Sequence, residues 1–202
     1  GPGRQTLVLA RELRSKIRAV DIHRPFLQQL EHSARAEGLD RHVEAQLGDM
    51  GSLDVEPGSV DLIWSEGAIY ILGFREGLKN WRHWLRPGGL VAVTEISWWC
   101  EDPPPEANAF WDAAYPSMGT IEANQKRATE VGYEVLDTHR LPVDAWWPEF
   151  YTPLQARIAE LKANQPDEAL AAAIAENEAE IALFERHALS YGYAFYLLRK
   201  TG

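Results

Sequence analysis

The sequence predicts an α/β protein built on a doubly wound, mostly parallel sheet with helices on both faces. Its first hundred residues alternate between helical and strand patterns four times, an order typical of right-handed crossovers between parallel strands. The strand patterns are nearly continuous apolar runs, as expected when helices cover both faces of a sheet. The second half is richer in aromatic residues and helical patterns, and it predicts a helical and aromatic insertion.

The elements of the first half follow from simple sequence signals. Helices are predicted where apolar residues recur every three or four positions, and strands where short apolar runs end at turn residues. The segment "RPFLQQLEHSARAEG" places Leu27, Leu30 and Ala34 on one helical face. Gly38 then stands where a helix C-cap belongs. The predicted helices are 4–16, 24–38 and 74–86, and the predicted strands are 17–22, 42–49, 60–66 and 90–98.

The second half adds four helices and two strands. The Ala-rich helix 167–189 carries an apolar stripe that includes Leu170, Ile174 and Phe184. The predicted helices are 107–115, 121–132, 154–163 and 167–189, and the predicted strands are 133–141 and 192–200. We expect one domain over residues 1–202. It divides into a cofactor-binding half (1–100), substrate-side helices and loops with a late strand (101–191), and a final strand (192–202).

Composition and charge limit the classes of partner. The net charge is −10 and no Lys/Arg-rich run is present, which disfavours nucleic acids and anionic membrane surfaces. The apolar runs are far shorter than a membrane span. Cys100 is the only cysteine and the six His lack metal-ligand spacing, so neither a disulfide framework nor a metal site is predicted. We expect a cytoplasmic protein that binds a small molecule.

The candidate site lies at the carboxyl ends of the predicted strands, where doubly wound sheets bind their ligands. The residues there are 1–3, Asp21, Asp49, 65–67 and 95–98. Asp21 follows Gly3 by eighteen residues, close to the spacing of about 20 at which an acidic residue binds a ribose hydroxyl. Thr6 occupies the third glycine position of a dinucleotide fingerprint. This favours an adenosine cofactor without a pyrophosphate over NAD.

Five segments in register resemble a known family. They are "GPG" before an amphipathic helix, Asp21, "GDM", "VDLIWSEGAIY" and "LRPGGLVAVTE". Together, over residues 1–98, they resemble class I, Rossmann-like S-adenosylmethionine-dependent methyltransferases. "FWDAAYP" and "YGYAFYLLRK" extend the likeness to a bacterial subgroup of small-molecule-type methyltransferases.

The resemblance implies S-adenosyl-L-methionine as the cofactor. Gly1 and Gly3 would contact its methionine part, Asp21 its ribose hydroxyls, and Asp49 with Met50 its adenine. The predicted cofactor-binding residues are Gly1, Gly3, Asp21, Ile22, Asp49, Met50 and Ser65.

The first residues, Gly1-Pro2-Gly3, have two interpretations. They are either the scar of a removed tag or half of a cofactor-binding loop. In the family, a first strand leads into an acidic-x-Gly-x-Gly-x-Gly loop. The second interpretation therefore predicts that a strand and an acidic-x-Gly-x segment precede Gly1, since an open sheet does not lose a middle strand without leaving two edges unpaired.

Methyl transfer from a sulfonium needs positioning and the exclusion of water, and it needs a base only when the nucleophile is protonated. Glu66 is the candidate base, with Tyr70 one turn further on if "EGAIY" begins a helix. Hydrogen bonding of Glu66 to loop amides is the alternative.

Aromatic residues of the second half are candidates for the acceptor pocket. Packing in the core is the alternative for each of them, and an aromatic cage would also suit an amine. The predicted pocket residues are Trp98, Tyr115, Trp147 and Tyr151, with Trp99 and Trp146 beside them. The helix 167–189 is a candidate active-site cap or homodimer face. Two other functions stay open at this point: an NAD(P)-dependent oxidoreductase, and a non-catalytic module that binds S-adenosylmethionine.

Overall fold

The computed structural model describes residues 1–202, which form seven α-helices and seven strands. The helices are α1 (Arg4–Leu13), α2 (Arg24–Ala36), α3 (Phe74–Trp81), α4 (Pro105–Ala114), α5 (Ile121–Glu130), α6 (Thr152–Ala163) and α7 (Glu168–His187). The strands are β1 (Ile17–Asp21), β2 (Val43–Leu47), β3 (Val60–Ser65), β4 (Leu85–Trp98), β5 (Gly119–Thr120), β6 (Tyr133–Arg140) and β7 (Tyr191–Lys200). The chain divides into two compact units, residues 1–56 and 57–202.

The unit 1–56 is an alternation of helix and strand. β1 and β2 pair in parallel, from Ile17 opposite Val43 to Asp21 opposite Leu47. The apolar faces of α1 and α2 meet in a small core of Leu7, Leu30 and Ala34. Residue 38, a glycine with φ +69°, follows α2 as the sequence predicts.

The unit 57–202 contains a mixed sheet in the order β3-β4-β7-β6, with β5 beside the end of β4. β3 and β5 run parallel to β4, whereas β7 runs antiparallel to both β4 and β6. β4 is buried at every residue from Val91 to Trp98, which explains the apolar sequence of that segment.

The boundary between α3 and β4 corrects one prediction. The sequence predicts a helix over 74–86, but α3 ends at Trp81 and β4 begins at Leu85. The pairing with β3 passes from Val60–Leu85 directly to Leu62–Leu90, so the intervening Pro-Gly-Gly segment bulges out of the strand. Leu85 continues the apolar spacing of the helix, but in the structure it is the buried first residue of β4. The helix prediction was therefore wrong at its C-terminal end.

The helical half is held by capped helices and an aromatic core. The Asp167 side chain caps α7 by accepting from the Leu170 amide at 2.8 Å. Ile174 and Phe184 are buried on the predicted stripe of α7, whereas Leu170, in the first turn, is 36% exposed. The core contains large aromatic side chains throughout. None of the helices is both long and apolar enough to cross a membrane.

Candidate active site

Two carboxylates follow the parallel strands of the unit 1–56. Asp21 ends β1 opposite Leu47, and Asp49 lies two residues beyond that partner. The Gly48 amide donates to the Asp21 carbonyl at 3.1 Å, which ties the two strand ends together. Parallel pairing therefore brings Asp21 and Asp49 to the same edge, as the sequence predicts.

The local hydrogen bonds orient both carboxylates. The His23 amide donates to Asp21 Oδ1 at 2.7 Å, and the Gly1 amino group also contacts Asp21. The Gly51 amide donates to Asp49 Oδ1 at 2.7 Å, in the pattern of an Asx turn.

The glycine segment and the neighbouring predicted residues lie in the same unit. Gly3 has φ +86° and precedes α1, and a Cβ there would overlap the Leu30 side chain. This position therefore requires glycine. Ile22 is 76% exposed next to Asp21, and Met50 is partly buried after Asp49.

In the unit 57–202, the loop after β3 carries three predicted residues. Ser65 ends β3 and is partly buried. The indole of Trp64 donates to Glu66 Oε1 at 2.7 Å, so the partner of Glu66 is a side chain and not a loop amide. Tyr70 lies in a 3-10 turn, Ile69–Ile71, rather than at the start of an α-helix, and it is 47% exposed.

A buried carboxyl that the sequence interpretation did not assign, Glu95, lies inside β4. Residues 95–98 belong to the strand and do not follow it, which corrects their expected place. Glu95 is 1% exposed, and Tyr115 donates a hydrogen bond to its Oε1 at 2.6 Å. Burial raises the pKa of Glu95 to about 7, although the Tyr115 hydrogen bond and the charge of Arg127 lower it. One acidic residue within an apolar strand was the signal in the sequence.

Tyr115 links this carboxyl to the loop after β3. Its ring lies edge-on to that of Tyr70, with centroids 6.1 Å apart. The Gly67 amide donates to Thr94 Oγ1 at 2.8 Å, which fixes the loop beside Glu95. Burial and the neighbouring Glu95 charge raise the pKa of Tyr115, so its hydroxyl is a donor at any ordinary pH.

All four predicted acceptor residues belong to one aromatic cluster in the unit 57–202. Trp98 and Tyr151 are buried in it, and Tyr115 and Trp147 are partly buried against it. Trp146, which stacks on Tyr193 at 4.9 Å, is also a member. The cluster has ample packing roles, and a ligand-binding role for its partly exposed members stays a prediction.

Comparisons with known proteins agree with this architecture. The chain has the fold of class I, Rossmann-like methyltransferases. It is similar to YjhP from E. coli, at 20% identity and a TM-score of 0.84, over 99% of this chain and 82% of that one. It is also similar to a SAM-dependent methyltransferase from Thiobacillus denitrificans in complex with S-adenosyl-L-homocysteine, at 21% identity and a TM-score of 0.82, over 99% of this chain and 82% of that one. The [4+2]-cyclase SpnF has a TM-score of 0.77 at 21% identity, over 100% of this chain and 72% of that one.

Part of the chain also matches a protein-family model. Residues 1–89 match the family described as a methyltransferase domain. This stretch contains both strand-end carboxylates and the loop after β3. The match covers 89 of the 202 residues, and the fold is that of the class I methyltransferases that the sequence motifs resemble.

Proposed function

We propose that this protein transfers a methyl group from S-adenosyl-L-methionine to a small-molecule acceptor by in-line displacement. The methyltransferase-domain match over residues 1–89 carries the proposal. The S-adenosyl-L-homocysteine bound by the Thiobacillus neighbour supports the choice of cofactor. The cofactor supplies an electrophilic methyl group on a sulfonium, so the tasks left to the protein are positioning, water exclusion and proton transfer.

Most residues proposed for the cofactor lie in the unit 1–56, and one ends β3 in the unit 57–202. Asp21, whose carboxylate is oriented by the His23 amide, accepts hydrogen bonds from the ribose hydroxyls. The remaining proposed contacts are Gly1, Gly3, Ile22, Asp49, Met50 and Ser65.

The residues proposed for the acceptor lie in the unit 57–202. Glu66 and Tyr70 are on the loop after β3, and the aromatic cluster contributes Trp98, Tyr115, Trp147 and Tyr151. An acceptor of small size and no net negative charge suits an aromatic lining and a chain with a net charge of −10. The cytoplasmic location and the homodimer face on 167–189 stay predictions.

Calorimetric titration with S-adenosyl-L-methionine tests cofactor binding. We expect saturable binding that Asp21→Ala weakens at least about tenfold, because one charge-assisted hydrogen bond contributes roughly 1.5–3 kcal/mol. Asp40→Ala is the matched control, since Asp40 is exposed in the same unit but precedes β2 instead of following a strand. Absence of saturable binding, or equal losses in both variants, would refute the assignment.

Methyl transfer itself needs a separate test, since the fold also supports a cyclase. The protein is incubated with a small-metabolite extract and a trideuteromethyl-labelled cofactor, and mass spectrometry follows the label. A labelled product that requires the protein confirms transferase activity. A consumed metabolite without the label would place the chain with the enzymes that use this fold for other reactions.

A further inference from the structure

Glu95 has an unusual position for a carboxyl group. It is 1% exposed in the middle of the sheet, where an ionised group is costly unless it is paired. The other buried polar side chains of β4 have structural tasks. Thr94 holds the Gly67 amide, and Ser97 shares hydrogen bonds with Asn124 and Tyr196. Glu95 is the exception that structure alone does not explain.

The carboxyl of Glu95 accepts a hydrogen bond from a tyrosine. Tyr115 donates to its Oε1 at 2.6 Å. A carboxylate accepts about four hydrogen bonds, so this one retains capacity for a further donor. Arg127 is the charged group that faces it, from α5, but its guanidinium is engaged by the Ser117 carbonyl at 2.9 Å and by Asn124 Oδ1 at 2.8 Å.

Two tyrosines, Tyr115 and Tyr193, lie near this carboxyl. The charge of Glu95 raises the pKa of Tyr193, which lies on β7. The Tyr193 ring stacks on Trp146 at an interplanar angle of 9°. Tyr70 stands edge-on to Tyr115 and is 47% exposed, so the group of tyrosines reaches the surface on the side of the β3 loop. Gly67 lies close to Tyr193, since a Cβ at Gly67 would be in van der Waals contact with the Tyr193 hydroxyl at 3.6 Å.

A desolvated carboxylate next to electron-rich rings is the arrangement that recognises an organic ammonium group. We propose that Glu95, oriented by Tyr115, binds the amino group of the methyl acceptor and accepts a proton from it. This deepens the proposed function and rests on it. The substrate class is accordingly a primary or secondary amine.

The proton inventory of the step is balanced. The acceptor enters as an ammonium ion beside ionised Glu95, and one proton passes from nitrogen to the carboxylate. The freed lone pair then forms the bond from nitrogen to the methyl carbon while the carbon–sulfur bond breaks and its electron pair stays on sulfur. The products are the methylated ammonium ion, the thioether and neutral Glu95. A proton acceptor in such a step contributes about 10²–10⁴-fold in rate.

Binding of two isosteric probes tests the proposal without knowledge of the natural acceptor. Benzylamine and benzyl alcohol are titrated at pH 8 into the protein saturated with S-adenosyl-L-homocysteine. We expect the wild type to bind the amine at least about tenfold more tightly than the alcohol, as a charge-assisted hydrogen bond in a dry site requires. In Glu95→Gln the two affinities become equal, and in wild type the amine loses its advantage at pH 5.5, where Glu95 is protonated.

Glu180→Gln is the matched control. Glu180 is also hydrogen-bonded by a tyrosine, Tyr151, at 3.1 Å, and it faces the same Tyr193 from α7. The control retains the amine preference if the assignment is correct. Equal binding of the two probes, no amine binding, or a preference lost in Glu180→Gln but kept in Glu95→Gln overturns the proposal.

Binding of S-adenosyl-L-homocysteine distinguishes a failure of this proposal from a failure of the proposed function. If S-adenosyl-L-homocysteine binds normally and the amine preference is absent, only the assignment of Glu95 fails. If S-adenosyl-L-homocysteine itself does not bind, the proposed function fails. Should Glu95→Gln not fold, the pH dependence of the wild type and the variant Tyr115→Phe, in which the preference is reduced, decide the question.

Discussion

The burial of Glu95 couples the stability of residues 57–202 to pH. Burial raises the pKa of this carboxyl from its ordinary 4.5 to about 7. Between these two pH values the group is protonated in the folded protein and ionised in the unfolded chain. The unfolded chain therefore binds fewer protons, and the free energy of unfolding falls as the pH rises through this window.

The magnitude follows from the two pKa values. Each tenfold change in proton affinity corresponds to about 1.4 kcal/mol, so the difference between 4.5 and about 7 corresponds to roughly 3 kcal/mol. Glu95→Gln removes the ionisable group and keeps an acceptor for the Tyr115 hydroxyl. We expect wild type to lose about 3 kcal/mol relative to Glu95→Gln between pH 4.5 and pH 8, with most of the loss complete by pH 7.

Urea denaturation followed by tryptophan fluorescence measures this difference. All eight tryptophans lie in the unit 57–202, so the signal reports on the part of the chain that contains Glu95. Glu101→Gln, an exposed loop residue of the same unit, is the control and should follow wild type at every pH. If wild type and Glu95→Gln show parallel stabilities across pH 4.5–8, Glu95 does not have the raised pKa on which the reasoning depends.

Three further changes have expected outcomes. Tyr196→Phe removes a hydroxyl that receives a hydrogen bond from the buried Asn124 and should cost about 1–2 kcal/mol, read as a lower thermal midpoint. Gly3→Ala forces a side chain into a residue with φ +86° against Leu30 and should cost about 1–3 kcal/mol, seen as faster hydrogen exchange in α1, whereas unchanged exchange would contradict the packing. Phe184→Ala empties a site that contacts four aromatic rings and should cost about 3–5 kcal/mol by urea denaturation; a loss below 1 kcal/mol would mean that the cluster repacks.

The alternation of helices and strands and the positions of Asp21 and Asp49 at strand ends were predictable because their signals are local. Asp21 and Asp49 follow short apolar runs, and parallel pairing alone brings such ends to one edge. The sequence predicted α3 poorly at its end, since Leu85 fits a helix and a strand equally well and only its pairing with Val60 decides.

The pair of Glu95 and Tyr115 was beyond the reach of sequence patterns. The acidic residue in an apolar strand is visible, but its partner is twenty residues away at the end of α4. Their contact depends on how α4 returns over the sheet, which no period or spacing encodes. Glu66, by contrast, attracted the functional prediction because it follows a strand, and its carboxylate has a neighbouring indole as partner.

Two carboxyl groups of the unit 57–202, those of Glu95 and Glu180, accept a hydrogen bond from a tyrosine. They differ in how well water can solvate their ionised forms. Glu180 lies on α7 with part of its side chain exposed, so water can solvate its charge although burial raises its pKa. Glu95 is 1% exposed, so water hardly solvates its charge. Because burial raises its pKa to about 7, a cation bound beside it would shift the carboxyl to its ionised form, and cation binding is therefore linked to the release of a proton from Glu95. An amine acceptor makes use of that linkage, since it brings the positive charge that ionises Glu95 and the proton that Glu95 then removes.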